Sequence, residues 1–447
     1  MIKRESYMRQ IRPFFNQEVI KVLTGIRRCG KSVMLQLIQE ELLAMGVTPE
    51  QIIHLNFESF QNAPLKNAKA LYDEIIKRKQ QINGKIYLFF DEIQEVIDWE
   101  QCINSLRVDI DCDIYITGSN AKLLSGELAT HLSGRYVEFE ITPFSFAEFC
   151  DLYRTIDSNT DNRECFKQYL IFGGMPYLSN LRYQPEAVHL YLNDLYTTVE
   201  LKDIVKRNKI RDVDLLERIF AYMTSNIGNI FSANTVSKYL KNEKRTVGVE
   251  TIFNYIKAGM DAYLFYQVKR NDLQGKKLLK VNEKYYLADH GIREAVFGGN
   301  LRDLNLILEN IVYMELRRRG YRITVGKVGD KEIDFVCDKQ NERIYIQVAY
   351  LLASDDTINR EFGVYEAIKD NYPKLVVTLD DFDMSRNGIK HMNIRDFLLQ
   401  PNWVWEPIRF SQVNLKNNKK SYKMRILIWV QTQECGEVAE RLKAHPC

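Results

Sequence analysis

Three short stretches of this 447-residue chain hold residue types that can manage a polyphosphate. The first is Gly25-Ile26-Arg27-Arg28-Cys29-Gly30-Lys31-Ser32, which fits Gly, four residues, Gly-Lys-Ser without a gap. Glycines let such a loop wrap closely, so that backbone N–H groups can cradle phosphate oxygens. A helix starting at the end of the loop adds a favourable potential for anions. In this arrangement Lys31 reaches the β- and γ-phosphates and the Ser32 hydroxyl ligates Mg²⁺. The expected phosphate contact runs from Gly25 through Ser32 to Val33.

The second stretch is Ile86-Tyr87-Leu88-Phe89-Phe90-Asp91-Glu92, an apolar run that ends in two carboxylates. Asp91 is placed to hold Mg²⁺ through water, and Glu92 to polarise an attacking water. The same pair also suits the acidic start of a following helix. The third stretch is Ile116-Thr117-Gly118-Ser119-Asn120. A polar residue at that strand end, Asn120 or Ser119, can touch the γ-phosphate and orient water, although a plain Gly-Ser turn reads the same way. Arg135 is a candidate γ-phosphate sensor, or an arginine finger offered to a neighbouring subunit. An exposed structural arginine is the competing reading.

These groups need a frame. EVIKVLTGI, IIHLNFES, KIYLFFDEI and DIYITGSN read as strands, and KSVMLQLIQEELLAM reads as an amphipathic helix. Strand and helix alternate over 17–150, which predicts a parallel α/β sheet. Residues 151–230 show helical spacings such as Leu215, Leu216, Ile219 and Tyr222. Residues 231–295 read as helix, turn, helix and a strand pair, the order of a winged helix. Residues 296–399 begin with a helix and continue as a second small α/β unit. Residues 400–447 have no clear period. The predicted order is thus a phosphate-loop domain over 1–150, a helical linker over 151–230, a winged-helix-like region, a C-terminal α/β domain and an atypical tail.

Composition narrows the class. Hydrophobic residues make up 45% and charged residues 27%, which is ordinary for a globular protein and excludes disordered and collagen-like chains. The longest apolar runs are far shorter than the about 20 residues that span a bilayer, and MIKRESYMRQIRPFF has no apolar signal core. The expectation is a cytoplasmic protein with no membrane partner. Eight cysteines are scattered without a CxxC pair, so no zinc ribbon or dithiol motif is signalled. The net charge is only +3. Residues 402–447 contribute +4, leaving −1 for the rest. Any nucleic-acid role must therefore come from a local patch. Lys238, Lys241, Lys244, Arg245 and Lys257 lie in or beside the helices of the winged-helix-like region. Lys276, Lys277 and Lys280 lie near its presumed wing. Such charges suit DNA phosphates or a solvated face that contacts protein.

TGIRRCGKS, FFDEIQ, TGSNAKLL, LSGRYVEFEITPFSFAEF and YLIFGGMP, taken in order, resemble the AAA-like P-loop ATPases of prokaryotes that carry a C-terminal DUF4143 domain. LENIVYMELRRRGY and EIDFVCD…RIYIQVAYLL resemble that family's C-terminal part. The resemblance covers most of 1–398. It implies an AAA-like P-loop NTPase domain with ATP and Mg²⁺ as cofactors, then a helical and winged-helix region, then a small restriction-endonuclease-like α/β domain. That last fold uses a Glu on its first helix, an Asp at a strand end and a Glu-x-Lys strand. Glu309 and Asp334 fit the first two places, while Gln347-Val348-Ala349 stands where Glu-x-Lys belongs. A metal site wants hard anionic oxygens, and Ala349 supplies no cation, so nuclease chemistry is disfavoured.

The function expected from all this is Mg-dependent ATP binding and hydrolysis that drives rearrangement of the attached modules. Glu92, Lys31, Asn120 and Arg135 are the catalytic candidates, and Ser32 and Asp91 the metal-binding ones. The alternative is a nucleotide-gated switch that binds DNA or protein with negligible turnover. Assembly with further copies, or with a protein partner, is compatible with a trans-acting Arg135. The terminal GEVAERLKAHPC, when back-translated, resembles the 5′ part of a bacterial serine tRNA gene. The tail reads either as a frame that has run past an ancestral end or as a genuine short C-terminal extension.

Overall fold

A computed structural model describes residues 2–121, 132, 134–242, 245, 247–273, 277–298, 303–401 and 403, with 200–203 and 277–282 as backbone. The expected tail, from 404 onward, lies outside the described residues. So do Lys244 and Lys276, and the side chains of Lys277 and Lys280.

The first sheet is wholly parallel. Its strands are β1 Ile20–Thr24, β2 Ile52–Asn56, β3 Ile86–Asp91, β4 Cys112–Thr117 and β5 Tyr136–Glu140, in the order β2-β3-β4-β1-β5. β1 and β3 are buried along their whole length, because helices cover both faces of a parallel sheet. β5 escapes the sequence pattern: it is an edge strand, only partly buried, in which Glu138 and Glu140 interrupt the apolar run. The strand order has a chemical consequence. β1 lies between β4 and β5, with β3 beyond β4, so the loops leaving the carboxyl ends of β1, β3 and β4 open side by side.

Helices follow at Lys31–Ala44, Ala68–Lys79 and Trp99–Asp109. The helix Phe146–Tyr153 starts with a capping box. Ser145 Oγ accepts from the Glu148 N–H, and Glu148 Oε2 accepts from the Ser145 N–H. Residues 151–230 are helical as expected, with helices Asn162–Phe172, Pro185–Thr198 and Val213–Ser225. The helices Ala233–Asn242 and Val249–Asp261 then lead into the hairpin β6 Phe265–Asp272 and β7 Lys277–Leu287. Ile230 forms an antiparallel bridge with Lys284 of β7.

The second sheet crosses the boundary drawn at 295/296. Its strands β8 Arg322–Val328, β9 Lys331–Lys339, β10 Glu342–Val348, β11 Lys374–Thr378 and β12 Lys390–Asn393 join the hairpin in the order β12-β11-β10-β9-β8-β6-β7. β6 pairs with β8 in parallel, at Arg270↔Val325 through Asp272↔Lys327. The two regions separated by sequence pattern therefore share one seven-stranded sheet. The pattern could not show this, because a parallel pairing between distant strands leaves no local signal. One apolar core runs continuously from Tyr7 through the helical region to Trp403.

The helix His290–Phe297 ties the middle of the chain together. Asp289 caps it, accepting from the Gly291 N–H (2.9 Å) and from the Gly174 N–H (2.7 Å). His290 Nε2 lies 2.6 Å from the Tyr169 carbonyl. Burial pushes the His290 pKa down to about 4 from 6.5 and the Asp289 pKa up to about 7 from 3.8. The depressed histidine contributes stability above pH 6.5 that is lost as pH falls through 4. Asp289 acts with the opposite sign over the same range. Its contribution is common to the wild type and a His290→Gln variant, so their difference isolates the imidazole. Thermal unfolding is expected to show wild type losing up to about 3 kcal/mol relative to His290→Gln between pH 6.5 and 4. A constant difference would refute the assignment.

Candidate functional site

Gly25 leaves β1 with φ 132°. A Cβ there would stand 2.0 Å from the Ile141 carbonyl oxygen just beyond β5. Only glycine permits so close a backbone approach. Gly30, at φ 103°, precedes the helix Lys31–Ala44 and turns the loop into it. Ile26 and Cys29 are buried beneath the loop, while Ser32 and Val33 on the first helical turn face outward. Arg28 adopts a left-handed conformation with φ 63°, and its guanidinium lies 5.7 Å from the centre of the Tyr191 ring. Arg27 pairs with Glu58 (2.6 Å). Burial pushes the Cys29 thiol pKa up, so it packs as a neutral group.

Lys31 is only 4% exposed. Its Nζ donates to the Gly25 carbonyl (3.0 Å) and the Ile26 carbonyl (3.2 Å), and lies 3.9 Å from Glu92 Oε1. The ammonium thus closes the loop on itself.

Asp91 ends β3 and is buried. Its Oδ1 accepts from Thr117 Oγ1 (2.5 Å), and its Oδ2 from Asn56 Nδ2 (3.2 Å). Glu92 is left-handed at φ 55°, and its N–H donates to the same Thr117 hydroxyl (2.8 Å). Glu92 Oε2 accepts from Ser119 Oγ (3.2 Å) and from Gln94 Nε2. Thr117, at the end of β4, therefore fixes both carboxylate residues. Asn120 is buried one residue past Ser119. Lys31, Asp91, Glu92 and Ser119 come together as the sequence predicted.

Arg135 does not join them. Its carbonyl accepts from the Ile20 N–H where β1 begins (2.9 Å), and its exposed side chain donates to Asn104 (2.8 Å). The phosphate loop leaves the other end of β1. At about 3.3 Å per residue a five-residue strand separates them by roughly 16 Å. Arg135 therefore lies away from this chain's own loop, a position that suits an exposed structural arginine as well as one offered to a neighbouring copy.

Sequence reasoning missed Arg4. Its buried guanidinium donates to the Cys29 carbonyl of the loop (3.1 Å), the Thr142 carbonyl (2.9 Å) and both Glu148 oxygens (3.0 and 3.1 Å). Burial opposes its charge, but Glu148 more than offsets that, and the Arg4 pKa lies above its ordinary value. No motif marks a lone arginine four residues into a chain. Asn56, Gln94 and Thr117 were missed as well, although Gln94 and Thr117 lie inside the stretches already singled out.

The site has hard oxygen donors in Ser32 and Asp91. Mg²⁺ typically takes one or two carboxylates and completes its shell with phosphate oxygens and water, so this sparse set fits it. Among the described residues no group of three or more His, Cys, Asp or Glu is arranged to hold a metal by protein side chains alone.

A second polar cluster lies in the C-terminal sheet. Glu309 and Asp334 do converge there, but around an unexpected cation. Lys284 Nζ of β7 lies 3.0 Å from Glu309, 2.9 Å from Glu332 and 3.7 Å from Asp334. Tyr286 donates to Glu309 (2.5 Å). Gln347 Oε1 accepts from the Asp334 N–H (3.2 Å), and the Val348 N–H donates to Asp334 Oδ2 (2.9 Å). Burial and the Glu309 charge push the Asp334 pKa well up. The ammonium thus sits among three carboxylates and balances their charge.

This arrangement is that of an AAA-like P-loop domain. Residues 17–150 match the family AAA_14, described as an AAA domain, and residues 163–303 match DUF8612, a domain of unknown function. An uncharacterized protein of Haemophilus influenzae is 37% identical over 401 residues, covering 90% of this chain and 99% of its own length. This chain belongs to the same family as that protein. An uncharacterized protein of Methanocaldococcus jannaschii is 29% identical over 411 residues, covering 86% of this chain and 88% of its own. A Walker-type ATPase of Pyrococcus abyssi aligns in three dimensions with 14% identity and a TM-score of 0.47, over 66% of this chain and 95% of that one. No helix among the described residues is long and apolar enough to cross a membrane.

Thr117→Val would leave Asp91 Oδ1 and the Glu92 N–H each without a partner. The expected cost is about 1–3 kcal/mol in chemical denaturation, with Thr117→Ser close to wild type. A Thr117→Val protein as stable as wild type would contradict the bridging role.

Proposed function

We propose that this protein binds ATP with Mg²⁺ and hydrolyses it, using the energy to change how its AAA domain sits against the rest of the chain. The observation that carries this reading is the position of Lys31. Its ammonium rests on two loop carbonyls within 4 Å of Glu92. A polyphosphate in the loop offers that ammonium stronger, charged acceptors, so binding would draw it off Glu92 and leave the carboxylate to accept a proton from water. Ser32 and Asp91 are the residues that would hold Mg²⁺, whose charge offsets that building on the phosphates. Ser119 would keep Glu92 oriented, and Asn120 would face the γ-phosphate. Arg135, for its part, would serve a neighbouring copy.

Movement would pass through a polar joint. Thr142, which accepts from Arg4, also receives Arg318 Nε on its hydroxyl (3.2 Å), and Glu140 at the end of β5 binds Arg317 with both oxygens. These arginines end the helix Leu304–Arg318, which packs under the second sheet. A repositioned loop would therefore be felt by the C-terminal modules.

DNA is the partner that the helices 213–261 and the hairpin β6–β7 favour. They follow one another in winged-helix order, and Ile230 bridges to the hairpin as a first short strand would. Lys238, Lys241 and Lys257 are exposed there, beside the exposed aromatics Tyr239 and Phe253. Arg245 is instead tied to Asp214 (2.5 Å). Residues 296–399 would be the DUF4143-like, restriction-endonuclease-like end, serving to bind rather than to cut. The second reading is a nucleotide-gated switch with negligible turnover, to which the donors already held on Glu92 are equally suited.

Mg²⁺-dependent phosphate release from ATP separates the two. On the first reading, wild type turns over, Glu92→Gln loses at least about a hundredfold in kcat while still binding ATP, and duplex DNA stimulates wild type. Unchanged turnover in Glu92→Gln would remove Glu92 as the base, and ATP binding with no turnover in wild type would favour the switch.

A further inference from the structure

The strand order gives a bound triphosphate a direction. Glu92 follows β3, on one side of β1, and β5 lies on the other. A γ-phosphate near Glu92 therefore sends the nucleoside end of the molecule toward the β5 side. What waits there is the segment Gly174–Tyr177, fixed to the chain just after β5. The Phe144 N–H donates to the Gly174 carbonyl (2.7 Å), and a Cβ on Gly174 would stand 2.3 Å from the Phe144 oxygen. Pro176 Cγ lies 3.8 Å from where Gly30 would carry a Cβ, so the segment lies beside the phosphate loop.

The next residue, Tyr177, is 45% exposed. Its ring stacks on Tyr191 with centroids 4.9 Å apart and planes 26° apart. Tyr191 in turn carries the Arg28 guanidinium of the loop over its ring. An aromatic ring is thus braced from behind, partly open to solvent, and one residue from the phosphate cradle. Core packing does not account for that exposure, whereas a flat apolar ligand would use it.

We propose that Tyr177 is the platform on which the nucleotide's base stacks. This rests on the nucleotide-binding reading above and adds the base subsite to it. Stacking reads the face of a ring rather than its hydrogen-bonding edge, so it supplies affinity that an inorganic polyphosphate cannot collect.

The test compares ATP with inorganic tripolyphosphate, each titrated with Mg²⁺ into wild type, Tyr177→Ala and Tyr177→Phe by calorimetry. Wild type should bind ATP more tightly than tripolyphosphate. Tyr177→Ala should lose about ten- to a hundredfold on ATP and nothing on tripolyphosphate, and Tyr177→Phe should keep wild-type affinity for both. The unchanged tripolyphosphate affinity shows at the same time that the variant's loop is folded. A Tyr177→Ala protein that weakens on both ligands equally, or on neither, overturns the base subsite while leaving the phosphate site standing. A wild type that binds neither ligand overturns the nucleotide reading and this subsite with it.

Discussion

The phosphate loop is clasped from two sides by buried cations, and most of the molecule's organisation answers to that clasp. From inside, Lys31 gathers the carbonyls of Gly25 and Ile26. From outside, Arg4 holds the Cys29 carbonyl and joins it to Thr142 and Glu148. A buried guanidinium is tolerated only when its charge and donors are met, and here a bidentate carboxylate and two carbonyls meet them. Glu148 does this while also completing a helix capping box. The segment before β1, the loop after it and the chain after β5 are therefore one polar unit.

That unit sets what the rest of the fold can do. Thr142 is shared by Arg4 and Arg318, so the loop's outer clasp and the end of the helix Leu304–Arg318 meet on one residue. The second sheet absorbs the hairpin β6–β7, and Lys284 of that hairpin supplies the cation that the C-terminal carboxylates require. Removing one partner from so buried a group would leave the other charges uncompensated. The hairpin and the C-terminal strands are thereby bound by charge as well as by backbone pairing.

The candidate site was legible because its parts are local. A loop pattern spans eight residues, and each carboxylate follows an apolar strand directly, so spacing alone places Lys31, Ser32, Asp91 and Glu92. The helices of 151–230 were legible for the same reason. What was not legible depends on pairs far apart in the chain. Arg4 meets Glu148 across 144 residues. β6 meets β8 across about fifty residues, with the boundary inferred from the order of predicted elements lying between them. Lys284 meets Glu309, Glu332 and Asp334 from a strand of the preceding region, and no spacing rule connects them. Arg135 shows the converse case, since its motif is conspicuous but gives no sign that the residue stands at the far end of the sheet from the loop.

The central claim is that Lys31 exchanges its loop carbonyls for phosphate oxygens. Equilibrium binding of ATP with Mg²⁺, wild type beside Lys31→Ala, tests it most directly. The account predicts micromolar-range or tighter binding by wild type and a loss of at least about a hundredfold in the variant, as expected when a buried charged hydrogen-bond partner is removed. Equal affinity in the two proteins would contradict it.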